Sequence, residues 1–132
     1  MTGAPHNTSL RETLRTRPNP NREVDYVVIL EGTVRPLGAA APLRLTLCYV
    51  PDRLIVETGE WQRYLAELSA ESSSALEELA HRILSDANNE VVPRWLSVVV
   101  CDDTSGPSQK VVIEDRQPTW DNPDLLRRIP HA

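Results

Sequence analysis

The residues that could do chemistry in this chain are few, and two of them stand at helix mouths. In "YVPDRLIVETGEWQRYL" (49–65), an apolar run passes a Pro-Asp corner and delivers Glu57 and Thr58 to an amphipathic segment. An acid there favours the helix dipole, and it could equally hold a ligand; both readings stand. Glu77 follows Ser74 by three residues, the spacing of a capping box, which explains it as a helix-start residue. His6, His81 and His131 are scattered and offer no metal-ligand spacing. Asp102-Asp103 at a strand end reads as a solvated turn before a cation site. Cys48 sits in an alternating segment with no cationic or helix-terminal helper, so it reads as a small core residue and not a nucleophile. Neither a glycine-rich phosphate loop nor a nucleophile elbow occurs.

The elements that must position these residues fit one domain of 132 residues. With 40% hydrophobic and 25% charged residues, the chain has globular composition and enough length for a real core. The formal net charge of -5 argues against nonspecific nucleic-acid binding. The sequence has no apolar run near the roughly 20 residues of a membrane span, and "MTGAPHNTSL" lacks a secretory core. Cys48 and Cys101 make no disulfide framework. A cytoplasmic protein with reduced thiols, no metal and no membrane partner is expected.

Residues 1–23, rich in Arg, Pro and Asn, predict an arm with little structure of its own. A single domain over 24–115 and a tail over 116–132 complete the division. "VDYVVILEGTV" (24–34) is β-branched and predicts a strand. "LRLTLCYV" (43–50) alternates and predicts its hairpin partner. Trp61, Tyr64, Leu65 and Leu68 recur at helical spacing. A second helix should follow Ser74, with Leu76, Leu79, Ala80, Ile83, Leu84 and Ala87 as its apolar stripe, ended by Asn88-Asn89 and Pro93. "RWLSVVVCD" (94–102) and "KVVIED" (110–115) predict two more strands around a turn. In the tail, Asn122-Pro123 predicts a helix cap, with Leu125, Leu126 and Ile129 docking a short helix. The order is ββααββ, an α+β arrangement whose four antiparallel strands leave two open edges. Other copies of the chain are expected to complete that sheet edge to edge, as a homo-oligomer.

Several of these stretches resemble one family. "YVPDRLIVETGEWQRYL", "LEELAHRILSDANNEVVPRWLSVV" (76–99) and "LRETLRTRPNPNREVDYVV" (10–28) are similar to segments of the NADPH-dependent 7-cyano-7-deazaguanine reductases, nitrile reductases of the queuosine pathway. The resemblance covers roughly residues 10–100. It implies the tunnelling fold, a ββααββ unit whose sheets assemble into barrels. It also implies that Glu77 anchors a purine-like ring and that Glu57, with Thr58 in place of a serine, lies at a subunit boundary. A carboxylate accepting two hydrogen bonds from an amidine-like N–H pair suits that role.

The same resemblance implies a loss of activity. The family's cysteine adds to the nitrile to form a thioimide. Counting back from Tyr49, its position falls on Val34, or on Arg35 with a one-residue slip. The family's acidic residue falls on Ala41, and the histidine before its second-helix glutamate falls on Leu76. Neither Val nor Arg can form a thioimide, and Ala cannot transfer a proton. In the cofactor segment, Gly59 replaces a lysine and Glu60 a serine, which sets a carboxylate where a phosphate would lie. The expectation is therefore a protein without NADPH or any other cofactor. It would bind a purine, deazapurine or pterin-like heterocycle at a subunit interface. An enzyme with different, cysteine-independent chemistry in the same pocket, or a structural or regulatory paralogue of an active reductase, are the alternatives.

Overall fold

The alternation in "LRLTLCYV" decides the core. In the computed structural model, which describes residues 14–39, 41–71, 75–102 and 108–129, it forms strand β3, Leu43–Val50. Leu43, Leu45, Leu47 and Tyr49 are all buried in one cluster. Strand β5, Trp95–Asp102, continues that layer, with Leu45 opposite Val100, Leu47 opposite Val98 and Tyr49 opposite Leu96. Strands β2, Val28–Val34, and β6, Gln109–Arg116, flank them, giving an antiparallel sheet in the order β2-β3-β5-β6.

Two helices cover this face. Helix α1, Thr58–Ser69, buries Trp61, Tyr64, Leu65 and Leu68, and helix α2, Leu76–Glu90, buries Leu76, Ala80, Ile83 and Ala87. Each large aliphatic side chain so buried contributes about 1.5–3 kcal/mol. Helix α1 lies on β2, where Gly32 lets it close in. A Cβ at Gly32 would stand 2.3 Å from Leu65 Cδ1. The Trp61 indole donates to the Glu31 carbonyl at 3.2 Å beside it. Tyr64, deeper in, donates to Asp86 on α2 at 2.7 Å and ties the helices together. Burial, with the Asp86 charge beside it, pushes the Tyr64 hydroxyl well above its ordinary pKa.

The opposite face carries a smaller cluster of Cys48, Val50, Trp95 and Ile129, packed by Val27, Trp120, Leu125 and Leu126. Its cover is helix α3, Pro123–Arg128, capped by the Asn122 side chain, which accepts from the Leu125 amide at 3.1 Å. The tail therefore docks as the sequence predicts.

Some elements differ from expectation. The first strand begins at Val28 and not at residue 24, because Asp25 and Tyr26 are committed to side-chain anchors. The end of the N-terminal arm is structured. Strand β1, Thr16–Pro18, pairs antiparallel with strand β4, Leu54–Val56, while Leu14 and Asn19 are buried. Three residues are too short to show a period, so neither strand was visible in the pattern. Asn88 and Asn89 lie inside α2, which runs to Glu90 and stops where Val92 turns to φ 49° ahead of Pro93. The N-cap of α2 is Ala75 without a side-chain cap bond, so Glu77 is its second residue. Ser74, the partner of the predicted capping box, lies outside the described residues, as do Asp103 and most of its turn.

Candidate functional site

Call the end of the sheet where β3 ends and β5 begins the lower end. Glu57 sits there, as the N-cap residue of α1 without a side-chain cap bond. Its backbone is fixed by the arm, since its amide donates to the Arg15 carbonyl at 3.0 Å. The adjacent Val56 amide donates to the Tyr49 hydroxyl at 2.9 Å. Burial pushes Tyr49 up to about 12, so that hydroxyl stays protonated and neutral. The Glu57 carboxylate meets the Arg17 guanidinium from β1 at 3.2 Å, an ion pair with both side chains about half exposed. Thr58 is exposed beside it. Gly59, where the resemblance implies a lysine, faces open space. Glu60 turns one oxygen to Arg63 at 3.0 Å and buries the other without a hydrogen-bond partner.

Glu77 occupies the upper end, where β2 ends and β6 begins. It is exposed, and one carboxylate oxygen accepts from the Gln109 side chain of β6 at 3.3 Å. Its carbonyl contacts His81 Nδ1 at 2.8 Å. The two carboxylates thus flank different edges of one sheet: Glu57 leads the helix that packs on β2, and Glu77 touches β6. Strand rise over about seven residues and three strand spacings separate these two corners of the sheet by about 25–30 Å. One chain does not bring them together.

The positions to which the resemblance assigns the reductase chemistry lie in or beside the main core. Val34 is 1% exposed in the main core, and Leu76 is buried in the same cluster. The Arg35 amide donates to Ser69 Oγ at 3.1 Å. Cys48 is buried on the opposite face, and desolvation pushes its thiol up to about 11, away from the thiolate that a nucleophile requires. Among the described residues no cluster of His, Cys, Asp and Glu could hold a metal ion. No helix among them is long and apolar enough to cross a membrane.

Sequence reasoning missed the partners of both carboxylates, Arg17 and Gln109. It also missed a polar hub at the lower end. Arg94 donates to Asp25 at 2.7 Å and to Asp52 at 3.3 Å. Asp25 also accepts from Trp120 Nε1 and Asn122 Nδ2. Burial raises the Asp25 pKa, but the bonds from Asn122, Arg94 and Trp120, with the Arg94 charge, outweigh it and leave the carboxyl below its usual value. The Pro-Arg-Trp strand start was the available signal; its partners lie too far along the chain to be paired by spacing.

A reductase of Acidithiobacillus ferrooxidans decides the family. This NADPH-dependent 7-cyano-7-deazaguanine reductase is 32% identical over 121 residues, covering 85% of this chain and 83% of the relative. The chain belongs to that family. The same protein from a second strain of the organism matches equally. Among solved structures, the apo form of the archaeosine synthase QueF-Like superposes with a TM-score of 0.54 at 21% identity, over 73% of this chain and 95% of that one. The fold is the tunnelling fold. No family profile matches the chain.

Proposed function

We propose that this family member binds a purine, deazapurine or pterin-like heterocycle at a seam between copies, without reducing it. The observation that carries the reading is the placement of the carboxylates against the sheet edges. Among the described residues, β2 and β6 have no strand on their outer sides. Joining β6 of one copy to β2 of the next sets Glu77 of the first and Glu57-Thr58 of the second on the two flanks of one seam. They stand toward opposite ends of that seam, so the reading requires the two copies to be staggered along it. Glu77, exposed at a helix start and held by one neutral amide, keeps its charge available for a paired N–H edge.

The absence of reduction rests on Val34 and Arg35, the two positions on which the resemblance lets the family's cysteine fall. Neither the core-sealed aliphatic side chain of Val34 nor the guanidinium of Arg35 supplies a thiol for a thioimide. Glu60 beside Gly59 gives a dinucleotide phosphate a carboxylate where it needs a cation.

Titration of the full chain with 7-cyano-7-deazaguanine tests both halves. Saturable binding is expected, weakened about tenfold or more in Glu77→Gln, as for loss of a charge-assisted pair. NADPH added to the complex should keep its absorbance. Unchanged affinity in the variant would reduce Glu77 to a helix-start residue, and consumption of NADPH would overturn the non-reductive reading.

A further inference from the structure

We infer that each copy carries a second binding site, for an α-amino acid with an aliphatic side chain, in a cavity between the end of α1 and the start of α2. The cavity has a volume of about 300 Å³, at the small end of the roughly 300–1,000 Å³ range of ligand sites. Its floor is apolar: Pro36, Leu68 and Leu79, with Val34 beneath them. Its rim carries three charged side chains, Glu71, Glu78 and Arg82. The walls are tied together. The Arg35 amide donates to Ser69 Oγ at 3.1 Å and the Leu37 amide to the Glu71 carbonyl at 3.4 Å, which holds the β2–β3 connection against the end of α1. This cavity lies within one copy and does not depend on the seam. Consecutive helical residues point about 100° apart: Glu77 reaches Gln109 on β6, while Glu78 lines the cavity.

The charges at the rim specify a zwitterion. Arg82 reaches from α2 to Glu71 at 3.6 Å and to Asp86 at 3.5 Å. Both contacts are longer than the about 2.7–2.9 Å of a charge-assisted bond, so the donors of the guanidinium keep capacity for a carboxylate. Asp86 orients that guanidinium from within: its side chain is 8% exposed and accepts from the Tyr64 hydroxyl at 2.7 Å. The Arg82–Glu71 pair is partly exposed on both sides and therefore weakly held. A ligand carboxylate on Arg82 releases Glu71, and Glu71 and Glu78 then face the ligand's ammonium. The end of α1 adds to this attraction, because its last turn holds no basic residue and its carbonyl end favours a cation. One group for a carboxylate and two for an ammonium, set around a small apolar floor, suit a molecule with both charges on one carbon and a branched hydrocarbon chain. A phosphate there would meet two like charges against one cation.

Titration of the full chain with leucine, isoamylamine and isocaproate, followed by calorimetry and by methyl NMR of Leu68 and Leu79, tests the site. The two analogues keep the hydrocarbon chain of leucine and remove, in turn, its carboxylate and its ammonium. Leucine should shift both sets of methyl signals saturably, and each analogue should bind about tenfold or more weakly, as for loss of a charge-assisted contact. Arg82→Gln should bind leucine no better than isoamylamine. Glu78→Gln, at an exposed position where folding is little affected, should weaken leucine and leave isocaproate unchanged. No methyl shift at millimolar leucine, or equal affinity for leucine and either analogue, would overturn the site. Full leucine affinity in both variants would overturn the roles given to the rim charges.

Discussion

The two ends of this sheet present a carboxylate each, and they are built in different ways. At the lower end Glu57 is held by an arm strand, a backbone bond and the Arg17 guanidinium, above a hub in which Arg94 joins Asp25 and Asp52. At the upper end Glu77 projects from the first turn of α2 with one contact from Gln109. The lower carboxylate is paired with a cation; the upper one is exposed and meets only a neutral amide. A binding seam can use this division, with one flank shaped in advance and the other supplying the charge that reads the ligand.

The contrast between the two ends depends most on the hub. Arg94→Ala leaves two partly buried carboxylates without their cation, and should lower unfolding stability by about 2–4 kcal/mol in denaturant titration, somewhat below the about 3–5 kcal/mol for fully buried pairs because these are partly exposed. Loss below about 1 kcal/mol would show that the lower end is not held by this hub. Acid probes the same group. Asp25 has a lowered folded pKa, so its stabilisation is complete above the ordinary value of 3.8 and is lost as pH falls through the folded pKa. Trp120 fluorescence should report tail release in that acid window, and Asp25→Asn should remove this dependence.

Glu77→Gln comes next. It should change stability by less than about 0.5 kcal/mol, as for an exposed surface residue, while costing about tenfold or more in heterocycle affinity. A large stability loss would make Glu77 part of the scaffold and erase the contrast between the ends. Val92→Gly removes a β-branched residue from φ 49°, a strained region, and should raise stability by about 1 kcal/mol in thermal melts. Arg17→Ala has the smallest effect on folding, about 0.5 kcal/mol, because the ion pair is half exposed. It frees Glu57: a change in heterocycle affinity without a change in stability would show that Arg17 positions that carboxylate.

The frame of the fold was legible because its signals are periodic. β3 alternates over eight residues, α1 repeats Trp61, Tyr64, Leu65 and Leu68, and Asn122-Pro123 caps α3 by local chemistry alone. What the pattern hid is short or distant. β1 and β4 have three residues each, and their pairing spans most of the first half of the chain. The Asp25 hub joins residues from the segment before β2, the corner, the lead-in to β5 and the tail, and no spacing rule links them. Glu57 and Glu77 were both readable as helix-start residues. That they flank opposite edges follows only from which strand each helix covers, and strand order is a tertiary fact.

The seam is tested most directly by mixing Glu57→Gln and Glu77→Gln chains, after dissociation and reassembly together, and titrating 7-cyano-7-deazaguanine. Each variant alone should bind weakly. In the mixture, a Glu57 from one copy meets a Glu77 from another at roughly a quarter of the seams under random cyclic pairing, and those sites should recover full affinity. A mixture that binds no better than the separate variants would contradict a site shared between copies.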